Sequence, residues 1–263
     1  MNRKKIKLFM PAILILTSFL GVIGCTKENS DQQQQPTAEQ PKQEAPKQEI
    51  PKQETPKKEV PSAPTTVVKN GDPLVPNPNE ILVLVNKKRH LPSDYIPPDL
   101  IEPHVTFSFS GQSPKKTMRQ EAAKALENLF DASQAEGMDM VAQSGYRSYS
   151  TQKQIYAANF RQMGESANQY SAQAGQSEHQ TGLAMDVTCS EIGFQLEDTF
   201  GNTKEGKWLA KNCSRFGFII RYQKGKEDIT GYAYEPWHIR YVGQKAAKEI
   251  MTQGLTLEEY LSR

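Results

Sequence analysis

Proline recurs at every fifth position from Pro41 to Pro56, in the units Pro41-Lys-Gln-Glu-Ala45, Pro46-Lys-Gln-Glu-Ile50, Pro51-Lys-Gln-Glu-Thr55 and Pro56-Lys-Lys-Glu-Val60. Each ring removes a backbone donor and blocks helix propagation. The Lys, Gln and Glu between them bring little apolar surface to offset the entropy of ordering. With Gln32-Gln33-Gln34-Gln35-Pro36 just before, the pattern makes residues 26–75 a disordered linker and leaves residues 76–263 to build one domain. A polyproline-like chain of ~50 residues reaches at most ~150 Å at ~3.1 Å per residue, and a flexible coil averages nearer ~40 Å. A functional tether and a plain spacer both fit that composition.

Residues 1–25 read as an address. Asn2-Arg3-Lys4-Lys5-Ile6-Lys7 is a cationic start, Leu8 to Ile23 is mostly apolar, and Gly21-Val22-Ile23-Gly24-Cys25 closes the segment. A charged head, a short apolar core and small residues before a cut describe a secretory signal. The ending resembles a bacterial lipobox, which implies a lipidated Cys25, a membrane held through its lipid anchor, and a domain outside the cytoplasm. The alternative is an uncleaved transmembrane helix, for which the run falls short of the roughly 20 residues a span needs.

Within the domain, Ile81-Leu82-Val83-Leu84-Val85 reads as a short apolar strand. Met118, Ala122, Ala125, Leu126, Leu129 and Phe130 recur at helical spacing, so residues 117–135 form an amphipathic helix that Gly137 ends. A strand at Met140-Val141-Ala142 precedes a second helix over residues 150–163, capped by Ser148 or Ser150. Further strands are expected at residues 183–187, 218–222 and 238–241. Helices alternating with short, uneven strands and no dinucleotide fingerprint give an α+β fold, a single domain with a central antiparallel sheet packed by helices. The 32 Lys and Arg nearly balance the 30 Asp and Glu, for a net charge of +2. That excludes nucleic acid as the main partner, which needs a basic surplus.

The chain has four histidines. His179 and His238, with Asp186, offer two imidazoles and one carboxylate, a donor set that suits zinc and leaves a fourth position for water. His179 and Asp186 flank Thr181-Gly182, where a glycine can take the turn that folds one back beside the other. Along that strand Asp186 points one way, with the small Ala184, while Met185 and Val187 point into the core. Glu235 and His238 are three apart, on opposite faces of a regular strand, so Pro236 must mark an irregularity for both to meet one ion. Glu235 would then take the proton of the zinc-bound water and return it to the leaving amine. His90 and His104 match no ligand position and read as structural or exposed. Cys189 and Cys213 either form a disulfide, which persists outside the cytoplasm, or remain as thiols.

Ser177-Glu178-His179-Gln180-Thr181-Gly182-Leu183-Ala184-Met185-Asp186 and Glu235-Pro236-Trp237-His238-Ile239-Arg240-Tyr241 follow a known pattern. They resemble S-x-H-x-x-G-x-A-x-D and E-x-W-H-x-x-Y of the VanY-type D-alanyl-D-alanine carboxypeptidases, a zinc peptidase family that includes LD-carboxypeptidases. Leu84-Val85-Asn86-Lys87, Leu91-Pro92, Tyr146-Arg147-Ser148 and Gly217-Phe218-Ile219-Ile220-Arg221-Tyr222 extend the resemblance over residues 81–243. It implies a Hedgehog/DD-peptidase-like architecture and one zinc ion held by His179, Asp186 and His238, with Glu235 as acid/base. It also implies that Arg147 stabilises oxyanion charge or the substrate carboxylate, and that Gln152, Tyr156 and Ser177 line the pocket. A planar guanidinium suits either task of Arg147; the structural alternative is a surface salt bridge.

The implied reaction is release of C-terminal D-alanine from peptidoglycan stem peptides by a monomer anchored to the cell membrane and facing the cell wall. The D-alanyl-D-alanine cut of pentapeptides comes first, and the LD cut of tetrapeptides is nearly level with it. An endopeptidase of the phage-lysin kind fits poorly with a lipid anchor. A silent zinc or wall-binding module would have no need of Glu235.

Overall fold

The computed structural model describes residues 74–263; the signal segment, Cys25 and the proline repeat lie outside the described residues. A four-stranded antiparallel sheet runs in the order β3 (Met140–Ser144), β4 (Ala184–Cys189), β6 (Glu235–Tyr241), β5 (Phe218–Tyr222). A second, two-residue pairing joins β1 (Leu100–Ile101) to β2 (Met118–Arg119). This is the α+β arrangement the sequence calls for.

The first helix, α1 (Gln120–Ala135), buries Ala122, Ala123, Leu126, Leu129 and Phe130 in the main core with Met185, Val187 and Ile239 of the sheet. Met118 belongs to that core as well but sits in β2, two residues before the helix begins. Gly137 follows the helix at φ +75°, donating to Gln134 O. The second helix, α2 (Tyr149–Met163), starts where Ser148 Oγ accepts the Thr151 N–H at 3.2 Å, so Ser148 is the cap. Shorter helices are α3 (Ala167–Tyr170), α4 (Lys204–Asn212), α5 (Glu227–Thr230), α6 (Gln244–Gln253) and α7 (Leu257–Leu261). Among the described residues, no helix is long and apolar enough to cross a membrane.

One expectation needs correction, and one open alternative is resolved. Residues 81–85 are not a strand. Val83, Leu84 and Val85 are buried, but the carbonyls of Ile81 and Val83 accept from Arg240 Nη2 at 2.9 and 2.8 Å. A buried guanidinium supplies donors that a neighbouring strand would otherwise provide. Cys189 and Cys213 are both free and buried, and burial pushes Cys213 up to about 12. They serve as small apolar core residues.

Register places the site. Asp186 on β4 pairs directly with His238 on β6, and Ser144 on β3 pairs with Asp186 after a shift between Ala142 and Ser144. On the other side, Ile220 pairs with Ile239 but Tyr222 pairs with Glu235, so β6 spends four residues where β5 spends two. That bulge breaks the strict alternation and lets Glu235 and His238 face one site. The turn before β4 needs Gly182: it has φ +68°, and a Cβ there would lie 2.8 Å from Leu100 Cδ2.

Candidate metal centre and cleft

His179 sits in a 3₁₀ turn, Glu178–Thr181, that leads through Gly182 into β4. Its Nδ1 lies 2.8 Å from the carbonyl oxygen of Gly145, which can only accept, so the proton is on Nδ1. Nε2 therefore carries the lone pair, and it faces Asp186 Oδ2 at 3.3 Å. The other Asp186 oxygen, Oδ1, lies 3.0 Å from His238 Nδ1. Ligand atoms of all three residues fall within 4.8 Å of one another, and all three side chains are buried. Among the described residues no other group of His, Cys, Asp or Glu converges this way.

These residues fit zinc. Tetrahedral ligands at ~2.1 Å from an ion stand ~3.4 Å apart, close to the 3.3 and 3.0 Å found here. Two borderline nitrogens and one hard oxygen match its preference. Burial alone would favour a neutral Asp186, but the imidazoles of His179 and His238 hold its carboxyl well below the usual range. Burial lowers His179. It would lower His238 too, yet the hydrogen bond to Asp186 and the surrounding carboxylates of Asp186, Glu178 and Glu235 hold that ring at about 9.

Glu235 Oε2 lies 3.9 Å from His238 Nδ1. Burial raises Glu235 to about 7, against the pull of His238. A base poised near neutrality can both take a proton and give it back. Arg147 is half-buried at the edge of the cluster: Nη1 donates to Gln152 Oε1 at 2.9 Å, Nη2 donates to Ser144 Oγ at 3.1 Å, and Asp186 Oδ2 is 3.8 Å away. Its Nε–H has no hydrogen-bond partner.

A cleft of ≈ 340 Å³ opens onto this cluster, and Arg147, Gln152, Ser177, His179, Asp186, Glu235 and His238 all line it. Gln152 acts through Arg147: its own amide donates to Ala172 O at 2.6 Å, so its oxygen is aimed at the guanidinium. Tyr156 does not line the cleft; its hydroxyl donates to Asn168 Oδ1 at 2.8 Å, one layer behind. A roomier groove of ≈ 560 Å³ runs between His104 and Asp139 but holds no converging ligand set. His90 is structural, with Nε2 3.0 Å from Gln176 Nε2, and His104 is exposed.

Sequence reasoning assigned no site role to four residues of this region. Tyr222, Tyr232 and Trp237 line the cleft, and the Tyr222 ring lies 5.0 Å from that of His238. Glu178, next to His179, is fully buried between Arg221 and Arg240. The signal for it was two arginines on alternating, otherwise apolar strands, which demand a buried anion.

Comparisons with known proteins agree with this geometry. A family model described as VanY, D-alanyl-D-alanine carboxypeptidase, matches residues 115–244. YodJ of Bacillus subtilis is 52% identical over 190 residues, covering 72% of this chain and 70% of YodJ. The structure of the LdcB LD-carboxypeptidase matches with a TM-score of 0.69 and 52% identity, over 72% of this chain and 89% of that one. A vancomycin-resistance D,D-pentapeptidase, a VanY mutant in complex with Zn(II), matches with a TM-score of 0.55 and 36% identity, over 69% and 98%.

Proposed function

Because the chain belongs to the VanY family of carboxypeptidases, we propose that it is a zinc-dependent carboxypeptidase removing the C-terminal D-alanine of peptidoglycan stem peptides, with the LD bond of tetrapeptides as its main target. The observation that carries the reading is the meeting of His179, Asp186 and His238 beside Glu235 at the floor of one cleft. The LD preference is supported by the higher identity to an LD-carboxypeptidase than to a D,D-pentapeptidase. The D-alanyl-D-alanine cut, to which the motifs first point, is the second reading and is favoured by the description of the family model.

His179 Nε2, His238 Nδ1 and an oxygen of Asp186 would hold the ion. Zinc, when bound, polarises a carbonyl and brings the pKa of its water to roughly 7. Glu235 Oε2 accepts the proton released by the attacking water and delivers it to the leaving D-alanine amine. Arg147, held by Gln152 and Ser144, keeps its positive charge beside Asp186 at the cleft, where charge would develop on the scissile carbonyl. Ser177 and Trp237 shape the wall that receives the peptide.

Lipidation of Cys25, with residues 26–75 as the tether to a monomeric domain facing the wall, completes the proposal; the lipobox-like ending supports it. Incorporation of labelled fatty acid that Cys25→Ser abolishes is the expected result. For the reaction, purified tetrapeptide and pentapeptide stems are incubated separately with the zinc-loaded protein. Faster D-alanine release from tetrapeptide is expected; release from pentapeptide alone selects the second reading, and release from neither removes both.

A further inference from the structure

Glu178 splits its two carboxylate oxygens between unlike surroundings. Oε1 accepts from Arg221 Nε at 2.8 Å and from Arg240 Nη1 at 2.7 Å, and all three side chains are sealed from solvent. Oε2 has no hydrogen-bond partner. Neither has His238 Nε2, which lies 3.7 Å from it. Two buried polar atoms left unpaired each forfeit their hydration without compensation, so there is a standing drive for them to meet. Closing the gap to a hydrogen bond of ~2.8 Å takes a shift of only about 1 Å.

The opposite nitrogen of the same ring faces the metal centre, with Asp186 Oδ1 at 3.0 Å and Glu235 Oε2 at 3.9 Å from Nδ1. An imidazole that binds a metal must offer a lone pair there and carry its proton on the other nitrogen. We propose that Glu178 is a positioning residue for the metal centre: its free oxygen holds the Nε2 proton of His238, which leaves the Nδ1 lone pair for zinc. The two arginines decide which oxygen is free, because both donate to Oε1.

The arginines are themselves fixed from outside the segment that the family model matches. Glu258 of α7 takes Arg221 Nη1 at 2.9 Å and Nη2 at 2.7 Å, and Asn86 Nδ2 donates to the same Glu258 at 3.2 Å. Arg240 Nη2 is taken by the carbonyls of Ile81 and Val83. Both flanks of the domain thus converge on one carboxylate behind one ligand.

The inference rests on the zinc reading of the site and not on which peptide is cut, so its test is zinc affinity, measured by chelator competition on the full chain. In Glu178→Gln, Arg221 and Arg240 still require an acceptor, so the amide oxygen faces them and its NH2 faces His238. That NH2 donates to Nε2 and forces the ring proton onto Nδ1. The expected result is zinc bound roughly 10- to 100-fold more weakly, with the metal-free circular dichroism spectrum unchanged. A folded variant whose zinc Kd stays within about twofold of wild type overturns the assignment. Loss of a carboxylate between two arginines can also unfold the variant, so a second measurement uses the zinc-loaded wild type labelled with ¹⁵N. His238 should show a protected proton on Nε2; an unprotonated Nε2 overturns the assignment regardless of the variant. Wild type that binds no zinc defeats the metal reading instead, which keeps the two failures apart.

Discussion

His179 Nδ1 lies 2.8 Å from the carbonyl oxygen of Gly145, and that glycine has no room for a side chain. A Cβ at position 145 would stand 2.5 Å from Thr117 O, 2.9 Å from Met185 Cε and 3.0 Å from Lys115 O. Two of these neighbours are backbone and cannot step aside. Gly145→Ala should therefore displace the carbonyl that sets the His179 tautomer. We expect a loss of about 1–3 kcal/mol of stability from overpacking together with weaker zinc binding, seen in thermal unfolding and chelator competition. A variant with wild-type zinc affinity would show that the ring is oriented by something else.

Zinc binding should depend on pH in one direction. His238 stands at about 9 in the metal-free site, above its ordinary 6.5. A proton there competes with the ion, so apparent zinc affinity should rise about tenfold per pH unit until the ring is neutral, then level off. The stability linkage runs the other way. A raised imidazole contributes fully below 6.5 and loses that contribution as pH rises through about 9. Metal-free protein should therefore become less stable over that interval while zinc-loaded protein gains a growing metal term. Zinc affinity that is flat across the interval would contradict the ligand assignment.

Arg147 is expected to matter through geometry as well as charge. Its guanidinium is held at two nitrogens by Gln152 and Ser144. Lysine keeps the charge but lacks the planar fork that spans both partners. Arg147→Lys should lower kcat/KM by roughly 10²- to 10³-fold, the cost of one lost oxyanion donor, with zinc content unchanged. Gln152→Ala should give a smaller loss of the same kind, because it frees the guanidinium to move. Steady-state kinetics on the preferred stem peptide decides both.

Arg240 is a fold residue by the same reasoning. It serves Glu178 and the carbonyls of Ile81, Val83 and Tyr241 with no solvent contact. Arg240→Met leaves a buried carboxylate short of one cation and three carbonyls without this donor. Breaking one side of a buried pair costs about 3–5 kcal/mol, so denaturant unfolding should show a loss of that order. A near-neutral result would mean that residues 81–85 are held by their apolar side chains alone.

Legibility in the sequence followed the range of the interactions involved. The first helix could be read because its partners recur every three or four residues along one segment, Ala122 through Phe130. The Phe218–Tyr222 strand could be read from the apolar run Phe218-Ile219-Ile220 bounded by Gly217. The ligands could be read because their spacing is local within two short motifs, even though the motifs lie on different strands. Residues 81–85 could not: their donor is an arginine 157 to 159 positions away, and an apolar run looks the same whether a strand or a guanidinium satisfies it. Glu178 stayed hidden for a like reason, since its two arginines are 43 and 62 positions distant. Tyr156 was placed in the cleft by resemblance, but its hydroxyl turns to Asn168, a partner its helical spacing does not reveal.

Glu235 is the proposed base beside a zinc that it does not itself hold. The direct measurement is D-alanine release from stem peptides by wild type and Glu235→Gln, with the zinc content of both determined on the same samples. One zinc per chain in each, with release in the variant lower by about 10²-fold or more, is the predicted result. Release by Glu235→Gln at the wild-type rate, with zinc in place, would contradict it.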